Sequence, residues 1–306
     1  MDYKKIKYEF TTLKNGTKIE YLYLNSESKK QPIIFLYGLV CNNRHFEPQV
    51  NYFKNKHHPV LILNYREHFN SKAVDGISSC TFKNISEDIF YLIDFLNIKK
   101  PDLIAHSMGV NVALEMALTS PGMLNKLVLI SGSPMRPQDY MFNTNLSTFL
   151  LPAIKKTLGL NKGISSTIWK NLYRLKLARL MVLDGGFNQK QVADEFVKFY
   201  LYKIGELGHE LFFQLIEQMK NHNLITKLHL VENQCLIMGG DLDKIAPIEG
   251  QILFHKYLKN SNFYLIKDGS HVPQIDFPET VNDEINQFLN ASKKVFKQTI
   301  SRRNNL

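Results

Sequence analysis

The chain has few cysteines and no long apolar run, and both shortages limit what it can be. Cys41, Cys80 and Cys235 are spread along 306 residues. Their odd number and wide spacing argue against a disulfide framework and against a zinc cluster of the CxxC kind. No stretch approaches the roughly 18 apolar residues of a spanning helix, and no apolar signal segment follows the lysines at the start. These absences predict a cytoplasmic protein.

The positive charge lacks the pattern of a nucleic-acid-binding protein. The net charge is +10, but the basic residues are scattered, except in a basic tail over residues 291–306. No recognition helix, stacking sheet or zinc finger accompanies the charge, so we do not expect a nucleic-acid partner. The 44% of apolar and 22% of charged residues are typical of a globular protein.

Short apolar runs bounded by turn signals predict buried strands, and amphipathic segments between them predict helices. Two β-rich runs joined by Asn15-Gly16 predict an opening hairpin. A helix is expected over 86–96 behind a Ser86 cap. The remaining predicted strands are 32–36, 59–63, 102–105, 126–130, 234–238 and 262–266.

The alternation of strand and helix predicts an α/β fold with a mostly parallel sheet. It stops after about residue 135, where helical stretches such as 164–183 and 192–204 follow one another, and it resumes with the strand at 234–238. We interpret the interruption as a helical insertion. The predicted parts are an α/β core of residues 1–134 and 229–290, a helical insertion of residues 135–228, and the basic tail of residues 291–306.

The most informative stretch is residues 103–114, an apolar strand, a sharp turn and a helix of small and aliphatic residues. Its centre, Ala105-His106-Ser107-Met108-Gly109, closely matches G-x-S-x-G, in which a serine between strand and helix projects its hydroxyl clear of the sheet. Small residues two places on either side let the backbone turn. Ala105 in place of the first glycine is a departure from the pattern.

From about residue 17 to 289, the chain resembles the α/β-hydrolase family. This resemblance implies an eight-stranded, mostly parallel sheet flanked by helices, and it implies that the helical insertion forms a cap over the active site. It also implies a catalytic triad that runs serine, acid, histidine along the chain. Ser107 would be the nucleophile.

The acid and the base follow from the same resemblance. The segment from Gly240 to Pro247 is similar to the family's G-x-x-D-x-x-x-P pattern, and both spacings favour Asp243 as the acid over its neighbour Asp241. Among ten histidines, His271 follows the final predicted strand and would be the general base. The triad would use no metal and no cofactor.

The family takes its oxyanion donors from the residue after the nucleophile and from the loop after an early strand. This implies the backbone N–H groups of Met108 and Leu39. Relatives usually have histidine-glycine before the second donor, and this chain has Tyr37-Gly38. A phenol cannot reproduce the two-nitrogen pattern of an imidazole, so the support of this loop is in question.

The resemblance and the apolar insertion imply a hydrophobic, acyl-bearing small molecule as substrate. Tyr37, His106, Trp169 and Val272 are candidate substrate-binding residues. Basic residues interleaved with leucines over 164–183 could let the cap rest on an anionic bilayer, although a solvated helix face is the plainer interpretation.

Hydrolysis of a carboxylic ester, thioester or lactone through an acyl-enzyme is the activity expected. Hydrolysis of a carbon–carbon bond, or acyl transfer to an acceptor other than water, would use the same triad. Relatives that hydrolyse epoxides or remove halogens carry aspartate where this chain has Ser107. A ligand receptor without catalysis, built on the same fold, is the alternative from another class.

Overall fold

The computed structural model describes residues 7–39, 41–134, 162–171, 174–188, 190–192 and 194–291. Eight strands form one sheet in the order β1-β2-β4-β3-β5-β6-β7-β8. The strands are β1 Glu9–Thr12, β2 Lys18–Leu24, β3 Ile33–Leu36, β4 Val60–Leu63, β5 Asp102–His106, β6 Leu127–Ile130, β7 Cys235–Gly240 and β8 Ser261–Ile266.

The sheet is mostly parallel, as predicted. Strand β2 runs antiparallel to both β1 and β4, and every later neighbouring pair is parallel. Strands β3 to β7 are buried along their whole length, because helices cover both faces of a parallel sheet. The predicted class of fold is therefore confirmed.

Some helices cover the two faces of the sheet, and the others form the helical segment that precedes β7. Since crossover connections are right-handed, α1, which leads from β3 back to β4, lies on the face opposite α2 and α3. Helices α2 and α3 pack together, and α1 packs against α10. The helices are α1 Glu47–Asn55, α2 Phe82–Phe95, α3 Met108–Thr119, α4 Lys162–Lys170, α5 Lys176–Gly186, α6 Asp194–Leu207, α7 His209–Asn221, α8 Ile248–Tyr257, α9 Pro273–Asp276 and α10 Pro278–Asn290.

Three local predictions were wrong. Helix α2 begins four residues before Ser86, and its cap is Thr81, whose hydroxyl accepts the Asn84 N–H. The opening hairpin has a five-residue connection in which only Gly16 has positive φ, so it is not a two-residue turn. The helix predicted over 164–183 is divided into α4 and α5, because the backbone at Leu175 is extended.

The helical cap and its boundaries both remain a prediction. Four helices, α4 to α7, lie between β6 and β7, while residues 135–161 and the basic tail from residue 292 onward lie outside the described residues. Within the part of the chain that is described, no helix is both long enough and apolar enough to cross a membrane.

Candidate active site

Ser107 lies at the sharp turn between β5 and α3. Its φ is 53°, in the left-handed region that a residue with a side chain seldom occupies. Its N–H donates to the Ile130 carbonyl of β6 at 2.9 Å. A Cβ added at Gly109 would lie 2.2 Å from the Leu36 carbonyl oxygen, so the following turn needs glycine. Ala105 is fully buried within β5, where its methyl group fits.

Ser107, His271 and Asp243 form a continuous hydrogen-bonded chain. The His271 Nε2 lies 2.9 Å from the Ser107 Oγ. The His271 Nδ1 lies 3.0 Å from the Asp243 Oδ2 and 3.2 Å from its Oδ1. With the carboxylate accepting the proton of Nδ1, Nε2 is left as the acceptor for the serine proton. Chain segments that are far apart in sequence meet here because the carboxyl ends of parallel strands lie at one edge of the sheet.

Asp243 is held by the backbone that follows it. Its Oδ1 accepts the N–H groups of Ile245 and Ala246, each at 2.8 Å. The Asp243 side chain is buried, whereas the neighbouring Asp241 is exposed. The structure thus brings Asp243 to the imidazole and leaves Asp241 in solvent.

The loop that carries His271 is fastened by Asp276, a residue to which the sequence analysis gave no role. The Asp276 Oδ2 accepts both the N–H and the hydroxyl of Ser270, each at 2.7 Å. Burial raises the pKa of Asp276 above its usual value, and the two bonds from Ser270 oppose that rise. The available signal was an aspartate six residues after Ser270, at the end of the short helix that follows the loop.

His106 connects the nucleophile turn to the same loop. Its Nε2–H donates to the His271 carbonyl at 2.8 Å, and the two rings lie 5.0 Å apart. His106 is buried, and burial, followed by the neighbouring His271, holds its pKa well below the usual value. The structure places His106, a candidate substrate-binding residue, against the loop that carries His271, and a role in substrate binding remains a prediction.

The loop after β3 lies directly against the nucleophile. A Cβ added at Gly38 would lie 2.9 Å from the Ser107 Cβ. The next residue, Leu39, is half-buried, and Met108 is buried at the start of α3. The two backbone amides named as oxyanion donors therefore belong to segments that flank Ser107.

Tyr37 supports this loop by turning into the core. Its hydroxyl donates to the Asn64 Oδ1 at 3.3 Å and accepts the Tyr65 N–H at 3.2 Å, and the Tyr65 hydroxyl donates to the Tyr37 carbonyl at 3.0 Å. The Asn64 Nδ2 donates in turn to the buried Glu20 at 2.5 Å. These contacts place the Tyr37 side chain in the framework of the loop and away from Ser107.

The two other substrate-binding candidates have different surroundings. Trp169 donates its indole N–H to the Ile204 carbonyl at 3.0 Å and packs against Phe212 and Phe213, so its contacts lie on α6 and α7. Val272, next to the base, belongs to a buried apolar cluster with residues of α6 and of the segment before it. The other buried members of that cluster are Phe187, Val192, Val197 and Leu201.

His45 is a third buried histidine beside the site. Its ring lies 5.2 Å from that of Phe196 and 5.1 Å from that of Tyr200, both on α6. Burial lowers its pKa to about 4, so the ring is neutral near neutral pH. Aromatic residues of α6 thus reach the segment that follows the candidate oxyanion loop.

Comparisons with known proteins identify the family of the fold. A sequence model of the alpha/beta hydrolase fold matches residues 31–278. The chain belongs to the alpha/beta hydrolase fold family, as the sequence predicted.

Individual relatives are distant. The uncharacterized hydrolase YugF of Bacillus subtilis (strain 168) is 22% identical, over 90% of this chain and 95% of its own. Epoxide hydrolase 2 of Caenorhabditis elegans is 23% identical, over 79% and 69%. The crystal structure of an enol-lactonase from Burkholderia xenovorans LB400 superposes with a TM-score of 0.74 at 17% identity, covering 92% of this chain and all of that one. Family membership and hydrolase-named relatives support a hydrolase activity on a small molecule.

Proposed function

We propose that this protein is a serine hydrolase that cleaves a carboxylic ester, thioester or lactone of a hydrophobic acyl substrate. The observation that carries the proposal is the hydrogen-bonded chain from Ser107 Oγ through His271 to Asp243, with distances of 2.9 and 3.0 Å. This arrangement of nucleophile, base and buried carboxylate is the one that activates a serine hydroxyl.

In the first half of the reaction, His271 Nε2 takes the Ser107 proton while Oγ attacks the substrate carbonyl carbon. Asp243 keeps the imidazole in the required tautomer and stabilises its cation. The Leu39 and Met108 amides would stabilise the negative oxygen of the tetrahedral intermediate. When the intermediate collapses, the leaving group departs with the proton from His271 and the acyl group stays on Ser107.

In the second half, His271 removes a proton from water, and the resulting hydroxide attacks the same carbonyl carbon. The bond between the acyl carbon and Ser107 Oγ breaks, and the serine recovers its proton from His271. The carboxylic acid is released. Each proton taken by the imidazole is returned within the cycle.

The preference for an apolar acyl group is supported by what lies next to the base. Val272 is packed in an apolar cluster with Val197 and Leu201 of α6, and Phe196 and Tyr200 of the same helix extend it toward His45. An apolar wall with few polar groups is typical of a site for a small hydrophobic molecule.

A fluorophosphonate probe tests the proposal directly. We expect the native protein to be labelled and Ser107→Ala to remain unlabelled, because the probe reacts with an activated serine hydroxyl. A panel of p-nitrophenyl esters of rising chain length would then measure the acyl preference. Equal labelling of the two proteins, or of neither, would overturn the proposal; the absence of labelling would favour a binding protein without catalysis.

Hydrolysis in ¹⁸O-labelled water separates the reactions that share the triad. Ester hydrolysis places one labelled oxygen in the released acid. Transfer of the acyl group to another acceptor gives a product without label. Cleavage of a carbon–carbon bond gives labelled acid together with a carbon leaving group, which chromatography distinguishes from an alcohol.

A further inference from the structure

A groove on the outer surface of the cap is lined by apolar side chains and rimmed by cations. It lies between α6 and the segment that leads into α5, and its volume is about 540 Å³. Leu175, Phe199 and Tyr202 form its apolar floor. Leu175 is 49% exposed and Tyr202 is 44% exposed. On α5 itself, Leu180 is 58% exposed, which extends the apolar surface beyond the groove.

The rim of the groove carries net positive charge. Arg174, Lys176, Arg179 and Lys198 line it. Asp194 accepts from Arg179 and, at 2.9 Å, from Lys198, so one carboxylate is shared between two cations. Lys176 adds a further positive charge, and its side chain is exposed.

Two more cations lie against aromatic rings that line the groove. The Arg44 guanidinium lies 4.3 Å from the centre of the Phe199 ring, which lines the groove. The Lys203 ammonium lies 5.1 Å from the ring of Phe69 and 5.8 Å from that of Tyr202. Each of these cations also has a carboxylate partner: the Arg44 Nε lies 3.3 Å from the Glu47 Oε2, and the Lys203 Nζ lies 2.5 Å from the Glu206 Oε2.

We propose that this face of the cap docks on an anionic lipid bilayer. Exposed leucines and aromatic residues surrounded by lysine and arginine are suited to the boundary between headgroups and acyl chains. The groove, for its part, can take one anionic headgroup between Lys176 and Lys198. The negative surface potential of an anionic leaflet attracts such a cluster, and the apolar residues gain by leaving water.

The same helix faces the bilayer and the candidate active site. Lys198, Phe199 and Tyr202 line the groove from α6, whereas Phe196 and Tyr200 of α6 contact His45. A helix with its side chains is about 10 Å thick. Docking would therefore bring the membrane surface within one helix of the residues that border the triad.

Sedimentation with lipid vesicles tests the docking surface without any assay of activity. The native protein should bind vesicles of equal parts phosphatidylcholine and phosphatidylglycerol at low salt. It should bind pure phosphatidylcholine weakly, and high salt should release it. The double variant Lys176→Glu, Lys198→Glu should lower the partition coefficient at least about tenfold, since each lysine near the surface contributes substantially to binding.

A matched control separates this face from the overall positive charge of the chain. Lys99 and Lys259 are exposed just before β5 and β8, at the edge of the sheet opposite the candidate active site. Lys99→Glu, Lys259→Glu makes the same change in net charge and should alter binding by less than about threefold. A second variant, Leu175→Ser, Leu180→Ser, should also weaken binding.

The proposal fails if the control reversal lowers binding as much as the groove reversal, because the attraction would then be general. It also fails if the native protein binds neutral and anionic vesicles equally, or if both groove variants bind as the native protein does. Thermal unfolding of each variant, expected within a few degrees of the native protein, verifies that lost binding is not lost folding.

Discussion

Asp102 and Asp243 are both buried aspartates that accept backbone amides, and they lie at opposite edges of the sheet. At the amino edge, Asp102 accepts the Asn125 side chain at 2.7 Å and the Lys126 N–H at 3.0 Å. At the carboxyl edge, Asp243 accepts two amides and also contacts His271. The fold thus uses a buried carboxylate to fix a loop at either edge.

The two aspartates differ in what lies beyond the carboxylate. Burial raises the pKa of Asp102 to about 6, against the lowering effect of its hydrogen bonds. Asp243 has an imidazole next to it, and that imidazole reaches a serine hydroxyl. A buried carboxylate alone therefore only stabilises a loop. A histidine and a serine next to it are what make the carboxyl edge a candidate active site.

The largest effect should come from Asp243→Asn. The amide cannot keep the imidazole in the required tautomer, so we expect kcat for a p-nitrophenyl ester to fall by about a thousandfold to ten-thousandfold. Asp241→Asn, two residues away and exposed, is the control and should stay within about twofold. Equal losses in the two variants would remove Asp243 from the mechanism.

Asp102→Asn should affect stability and leave activity unchanged. The folded-state pKa of about 6 lies above the ordinary aspartate value of 3.8, so the native protein loses stability as pH rises from about 4 to about 6. The asparagine variant lacks this titration. The difference in free energy of unfolding in urea, variant minus native, should therefore rise by roughly 1 to 3 kcal/mol between about pH 4 and about pH 7. A constant difference across that range would contradict the assignment.

His106→Leu tests the connection between the nucleophile turn and the base. Losing the 2.8 Å bond to the His271 carbonyl frees the loop that carries the base, so kcat should fall about tenfold with KM nearly unchanged. His106→Gln can still donate and should recover part of the activity. If glutamine and leucine behave alike in proteins of equal thermal stability, His106 is not a positioning residue.

Tyr37→Phe, in the loop on the other side of Ser107, should give the smallest effect. It leaves the Asn64 Oδ1 and the Tyr65 N–H without the Tyr37 hydroxyl, at a cost of about 1 to 2 kcal/mol in the free energy of unfolding. Tyr52→Phe removes a surface bond to Asp283 and should cost less than about 0.5 kcal/mol. Urea unfolding of the two variants measures the difference, and equal costs would contradict a supporting role for Tyr37.

The sequence was most informative where one strand or one turn decides the structure. Apolar runs predicted the buried strands closely; the run at 102–105 corresponds to Asp102–His106. Ser107 could be placed at a turn because the strand, the small residues and the helix are neighbours along the chain. The confirmed fold class and family both rest on such local patterns.

Contacts between distant segments were not predictable in the same way. His106 and His271 are 165 residues apart, and nothing in either segment indicates that one ring supports the other's backbone. No glycine or proline in the sequence between α4 and α5 predicts the break between these helices. The sequence could not show how Tyr37 supports its loop, because its hydrogen-bond partners, Asn64 and Tyr65, lie in a distant segment.

The positive φ of Ser107 has a consequence for the evolution of the protein. A side chain in that region of backbone space costs on the order of 1 to 3 kcal/mol, and glycine would relieve much of that strain. While the hydroxyl is needed, selection keeps the strained residue. In a lineage that no longer needed the proposed reaction, we expect glycine to replace Ser107 early. That single change would stabilise the fold and abolish the activity.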